Sequence, residues 1–234
     1  MIEHHTGEGI KPLKHLAFIM DGNGRWAKKR GMPREYGHTV GVKTFRRISE
    51  YCFRGGIDTV TVYAFSTENW KRPKREVDAI MKILGSYLKI GMAEMAEDNI
   101  RIRFLGDKSP FSHELRSAME ELEEASKMNK YSLNIAANYG GRAEIVNTVN
   151  KLVADGVTEF TEELISSSIY TKCQPDPDLI IRTGGEMRLS NFLTWQSTYS
   201  ELYFCDVLWP DLSESDIDLA VENYYTRKRR FGGV

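Results

Sequence analysis

Cysteine is scarce and scattered. Cys52, Cys173 and Cys205 are the only three, and no two form a CxxC pair. That spacing excludes a disulfide framework and a thiolate zinc site, and points to idle thiols in a reducing compartment. Net charge is nearly absent as well: 32 Lys and Arg stand against 33 Asp and Glu, a formal −1. Such a chain is no general polyanion binder, so attraction to anions must come from local clusters. The near-neutral balance, with aromatics inside apolar patterns and not on basic faces, also argues against a nucleic-acid partner. Long apolar runs are missing, and no stretch approaches the roughly 20 uncharged residues that span a bilayer. The opening MIEHHTGEGIKPLK has no apolar core region, so no secretory leader is expected. There is no internal repeat and no low-complexity tract.

What is present is globular. Of 234 residues, 41% are hydrophobic and 28% charged, enough for one α/β domain with a substantial core. Residues 1–14 read as a flexible tail and 15–234 as a single domain. Strand patterns occur at HLAFIM, DTVTVYAF, IRIRFLG, YSLNIAAN, DLIIRT and ELYFCDVLW. Between them lie helical patterns: 37–56 closed by Gly55-Gly56, a long helix from Arg75 to Asp98, then 112–127, 141–156 and 213–230. Ser213 with Asp216 three residues on reads as an N-terminal capping pair. Six strands separated by helices predict a mostly parallel central sheet with helices on both faces.

In such a sheet, ligands bind beyond the carboxyl ends of the strands. Four strand ends carry related polar residues: Asp21; Ser66-Thr67-Glu68-Asn69-Trp70; Asn138-Tyr139-Gly140-Gly141-Arg142; and Arg182-Thr183-Gly184-Gly185-Glu186. All four should gather along one edge.

The segment DGNGRWAKKR after the first strand decides the chemistry. It is not a hairpin, because a helical pattern follows and not an alternating strand. Nor is it a calcium loop, since Arg25 and Met32 occupy positions where oxygen ligands are required. GHTVGVKT fails as a nucleotide P-loop, because Val42 follows Gly41 where lysine is needed. A strand, then glycines, then a helix start can cradle a phosphate with backbone N–H groups. Arg25 and Arg34 add charge-assisted bonds to the same anion. Asp21 suits a divalent cation, expected to be Mg²⁺, bridging it to that phosphate. A second anion site is expected at Arg182, Arg188 and Ser190 around the Gly184-Gly185 turn. Beside them, the Arg75–Asp98 helix carries Val77, Ile80, Met81, Ile83, Leu84, Tyr87, Leu88, Ile90, Met92 and Met95. Its wide apolar arc, with space at Gly85 and Gly91, can pack on the sheet and also wall a site for a prenyl chain.

HLAFIMDGNGRWAKKRG, YAFSTENWKRP, NIAANYGGR, DLIIRTGGEMRLSNFLTWQSTYSELYF, LWPD and the terminal RRFGG together resemble the cis-prenyltransferases. The nearest group is the bacterial undecaprenyl diphosphate synthases, and the resemblance runs from about His15 to Gly233. It implies sequential addition of isopentenyl diphosphate to an allylic starter, usually farnesyl diphosphate, with each new double bond cis. It further implies Mg²⁺, a homodimer and a hydrophobic tunnel for the growing chain. By that resemblance Asp21 is the essential aspartate that positions metal and allylic diphosphate. Gly22, Asn23, Gly24 and Arg25 form the diphosphate loop, supported by Arg34 and His38, and Trp26 would pack near the tunnel's start. Ser66, Thr67, Glu68, Asn69, Trp70 and Arg72 match a mobile segment closing over the substrates, with Asn69 read as catalytic. Arg182, Arg188, Leu189 and Ser190 match the isopentenyl diphosphate site, and Glu201 a second metal-placing acid. Arg230-Phe231-Gly232 matches an element that reaches the partner subunit's site. Some relatives carry a metal-approaching histidine where this chain has Met187, so no metal ligand is expected from that turn. A short-chain synthase and a non-catalytic partner subunit are the alternatives, and the second conflicts with the retained Asp21, Asn23 and Arg25. Delivery of so apolar a product implies transient contact with a membrane by a cytoplasmic protein.

Overall fold

The computed structural model describes residues 12–88 and 93–227. Six strands, β1 (His15–Ile19), β2 (Thr59–Ser66), β3 (Ile100–Leu105), β4 (Tyr131–Tyr139), β5 (Leu179–Arg182) and β6 (Glu201–Phe204), form one sheet. Its order is β3-β4-β2-β1-β5-β6, and every neighbouring pair is parallel. The expected topology is therefore met, with no antiparallel member among the described strands. All five residues of β1 are buried, as a central strand covered on both faces requires.

The alternation of β1 divides the core. Leu16 and Phe18 face the larger cluster, which includes Ile48 of α2 (Arg34–Arg54), Leu84 of α3 (Lys74–Tyr87) and Ile217 of the C-terminal helix Glu214–Thr226. Ala17 and Ile19 face a smaller one with Tyr139, Phe192 and Leu193. Leu13 is already buried, and its N–H donates to the Tyr225 hydroxyl at 3.2 Å. Packing thus includes part of the stretch read as a tail, whose first eleven residues lie outside the described ones.

Gly55 caps α2, and Ser213 forms the expected capping box with Asp216. The long helix is described in two pieces, α3 and a short helix Ala93–Glu97, with 89–92 outside the described residues. β6 is shorter than its apolar pattern predicts. Beyond Phe204 the chain turns to meet the glycine turn, where Gly185 N–H donates to Cys205 O and Gly184 N–H to Val207 O. The three cysteines are free.

One polar ladder crosses the second face. Thr61 Oγ1 lies 2.7 Å from His15 Nε2 and accepts from Asn134 Nδ2 at 2.9 Å, while Pro175 O lies 2.7 Å from His15 Nδ1. Burial, opposed by the Pro175 carbonyl and Asp178, lowers the His15 pKa to about 4 from 6.5. The folded state therefore holds a neutral imidazole. Its stabilisation is complete above pH 6.5 and lost as pH falls toward 4, about 3 kcal/mol in all. Denaturant unfolding from pH 7 to 4 should show wild type converging by about that amount on His15→Gln, whose side chain does not titrate.

Candidate active site

The carboxyl ends of β1, β2 and β5 open onto a cavity of about 670 Å³ between the sheet, α2 and α3. Its mouth carries Asp21, Asn23, His38, Ser66, Arg182 and Ser190, and its depth is lined by Phe45, Val62, Ile83, Leu84, Tyr87 and Ile135. A polar rim over a hydrocarbon slot is the geometry expected of a ligand with an ionic head and an oily tail.

Asp21 stands at the centre of the rim. The chain leaves β1 through Gly22, whose φ of 106° is a left-handed value suited to glycine, and enters the helix α1 (Asn23–Lys29). A Cβ on Gly22 would also lie 2.8 Å from Leu208 Cδ2. The first turn of α1 has no side-chain cap. The Asp21 carbonyl is fixed by Thr183 Oγ1 at 2.7 Å and by Trp209 N–H at 3.0 Å. Its carboxylate sits between two guanidinium groups, Arg182 Nη2 at 3.0 Å and Arg25 Nη2 at 3.2 Å.

Arg182 is only 4% exposed. One of its nitrogens donates to Ser190 Oγ at 2.8 Å and to the Arg188 carbonyl, while its buried Nε has no partner among the described residues. Arg25 crosses Gly184 so closely that a Cβ there would lie 2.5 Å from its Nη2. Arg34 lies across Gly24 in the same manner, 2.8 Å from where a Cβ would be. The glycines thus admit arginines as well as any anion. Arg188, by contrast, points outward, largely exposed and paired with Glu186.

A residue missed in the sequence organises the second half of the rim. Glu76 in the first turn of α3 is 7% exposed and meets Arg72 at 3.0 Å, Arg34 at 3.4 Å and His38 Nε2 at 3.5 Å. Burial opposes its ionisation, yet the charges of Arg72, Arg34 and His38 carry its pKa below the ordinary value. His38 is shifted down, first by burial and then by Arg72, with Glu76 opposing both. A signal was available: Arg72 and Glu76 stand at i and i+4 across Pro73.

The segment after β2 forms a 3-10 turn, Thr67–Lys71, closed by a capping box between Ser66 and Asn69. Ser66 N–H donates to Asn69 Oδ1 at 3.1 Å. Asn69, expected as catalytic, holds this turn and lines the cavity beside Arg72 and Glu68. Thr67 packs close to Gly140, and Leu189 packs against the smaller core cluster.

Trp26, Trp70 and Glu201, expected at the site, are engaged away from the main cavity. Trp26 donates to Asp211 Oδ1 at 2.6 Å, stacks on Tyr36 and lies under Arg30. These contacts with Asp211, Tyr36 and Arg30 turn the indole away from the hydrocarbon slot. Trp70 donates to Asn138 Oδ1 at 2.8 Å and packs on Phe65, beyond the main cavity's lining. Glu201 begins β6 opposite Leu179, whereas Arg182 pairs Phe204. It therefore stands three residues before the site edge, about 10 Å along the strand, and pairs with Arg227 at 2.6 Å. No cluster of three or more His, Cys, Asp or Glu suited to a metal occurs among the described residues. A lone carboxylate still fits Mg²⁺, which is commonly held by one or two carboxylates together with substrate phosphates. Arg230-Phe231-Gly232 lies outside the described residues.

The family model described as "Putative undecaprenyl diphosphate synthase" matches residues 19–232. The chain belongs to this family of prenyltransferases. An isoprenyl transferase of Fusobacterium nucleatum is 54% identical over 94% of this chain and 96% of its own. One from Aquifex pyrophilus is 48% identical over 96% and 98%. Among solved structures, lavandulyl diphosphate synthase from Lavandula x intermedia, in complex with dimethylallyl diphosphate, superposes with a TM-score of 0.90. It is 35% identical and covers 94% of this chain and 98% of that one. A "probable undecaprenyl diphosphate synthase" from Campylobacter jejuni gives 0.81 at 34% identity, over 95% and 100%. This prenyltransferase has no helix, among its described residues, long and apolar enough to cross a membrane.

Proposed function

We propose that this prenyltransferase adds isopentenyl diphosphate repeatedly to an allylic diphosphate, farnesyl diphosphate being the expected starter, to give a long cis-polyprenyl diphosphate of the undecaprenyl type for cell-wall lipid carrier synthesis. The observation that carries this reading is the junction of two arginine-bearing anion sites on Asp21 with an apolar slot opening beneath them. In this scheme Arg25 and Arg34 hold the allylic diphosphate over α1, and its hydrocarbon enters the slot toward Leu84 and Tyr87. Arg182 and Ser190 hold the second diphosphate so that its terminal double bond faces the allylic carbon, replacing a chance encounter with a fixed approach. The allylic C–O bond breaks, a C–C bond forms from the isopentenyl double bond, and a proton leaves the isopentenyl C2 carbon. Diphosphate departs with the negative charge, which the arginines and backbone amides stabilise. Mg²⁺, held by Asp21 with the diphosphate, would supply further neutralisation of the leaving group.

Asp21 and the departing diphosphate are the better-supplied proton acceptors. Asn23 Oδ1 is buried against Gly41, and Ser66 is engaged in its capping box. The family resemblance also supports a homodimer, and so apolar a product supports brief contact with the inner face of a membrane from the cytoplasm. Incubation with labelled isopentenyl diphosphate, farnesyl diphosphate and Mg²⁺, then sizing of the product, tests the activity. A ladder ending at long cis chains is expected, and absence of any label in lipid would refute it. Excess EDTA should abolish that labelling and added Mg²⁺ restore it. Undiminished labelling would remove the metal from the scheme.

A further inference from the structure

We infer that Asn191 is a positioning residue linking the Ser66–Lys71 turn to the Arg182–Ser190 anion site, so that isopentenyl diphosphate is gripped only when the turn is in place. The inference rests on the two-diphosphate reading above.

Ser190, Asn191 and Leu193 all have left-handed backbones, with φ of 51°, 65° and 46°. Non-glycine residues seldom cluster there, and asparagine tolerates the region better than most. Contacts on several sides hold the turn in this shape. The Asn191 carbonyl accepts from Gly141 N–H at 2.7 Å, and its Oδ1 accepts from Arg142 N–H at 2.9 Å. Its Nδ2 donates to Glu68 Oε1 at 3.0 Å. Gly140 leaves the necessary room, because a Cβ there would lie 2.6 Å from Asn191 Nδ2 and 2.8 Å from Thr67 Oγ1. One residue earlier, Ser190 Oγ accepts from Arg182. One residue later, buried Phe192 stacks on Tyr63 with ring centroids 4.6 Å apart. With Phe192 pinned below, movement of Glu68 with its turn is passed through Asn191 to Ser190, and so to the guanidinium of Arg182.

Reversing the donor and the acceptor tests this link. Asn191→Asp keeps an acceptor for Arg142 N–H but sets two carboxylates face to face at Glu68. It should raise the KM for isopentenyl diphosphate about tenfold and leave that for farnesyl diphosphate within about twofold. Adding Glu68→Gln restores a hydrogen bond with its direction reversed, and should return that KM to within about threefold of wild type. Asn191→Gly keeps the backbone conformation without the side chain, and should stay impaired for isopentenyl diphosphate. No rescue in the double variant, equal rises in both KM values, or a wild-type Asn191→Gly would overturn the inference. Wild-type enzyme that fails to join the two substrates at all would instead refute the two-diphosphate reading itself.

Discussion

Asp21→Ala will lower kcat by about three orders of magnitude, equivalent to about 4 kcal/mol of transition-state stabilisation, while leaving the fold intact. Both halves of that expectation come from the rim. The carboxylate is about one-third exposed and its partners are cations, Arg25 at 3.2 Å and Arg182 at 3.0 Å. The pair with Arg25 is partly solvated and contributes little to stability, while buried Arg182 keeps Ser190 and the Arg188 carbonyl as partners when the carboxylate is removed. What is lost is the carboxylate set between Arg25 and Arg182 at the mouth of the cavity, and with it the means of holding a divalent cation against the leaving diphosphate. The variant also leaves two arginines without their shared counter-charge, so the allylic diphosphate should bind no more weakly than before. Asp21→Asn, which keeps the shape, should be nearly as inactive. Steady-state kinetics with circular dichroism as the folding control makes the check. Near-normal turnover would remove Asp21 from the chemistry.

Arg182→Ala will raise the KM for isopentenyl diphosphate by about 100-fold, far more than the KM for the allylic starter. The guanidinium is almost fully buried and is held by Ser190, by the Arg188 carbonyl and by Asp21. In the proposed scheme it acts as a preset anion receptor and not as a flexible surface charge. Arg182→Lys should recover little, since an ammonium cannot serve those three positions in the planar arrangement of a guanidinium. Arg188→Ala should cost less, because that side chain is exposed and faces Glu186. Equal increases for both substrates would contradict the division of the rim into two anion sites. Because Arg182 and Asp21 share a contact, their double variant will not be additive.

The sheet was legible because its strands are short apolar runs separated by long helical patterns, and parallel order follows from that alternation. The loop after β1 was legible from its glycines. Glycines at Gly22 and Gly184 mark backbone that side chains would obstruct, and both prove to lie at strand ends against Leu208 and Arg25. Features set by three-dimensional approach were not. Glu76 looked like an ordinary first-turn acid, and only the crossing of α2 and α3 brings Arg34 and His38 to it. Trp26 and Trp70 lay within the right motifs, but motif membership does not tell which way an indole turns. Glu201 was assigned by resemblance, whereas strand register puts it at the far end of β6 within this chain. Asn191 gave the faint signal of an asparagine after a serine in a glycine-rich region, without any hint of Glu68.

The account's central claim is that two diphosphates share one rim while a hydrocarbon tail occupies the slot below. A crystal structure with isopentenyl diphosphate and an unreactive thio-analogue of farnesyl diphosphate tests it most directly. One diphosphate should lie over Gly24 between Arg25 and Arg34, the other at Arg182 and Ser190, with the farnesyl chain running past Phe45 toward Leu84 and Tyr87. A single shared diphosphate position, or a farnesyl chain lying outside that slot, would contradict it.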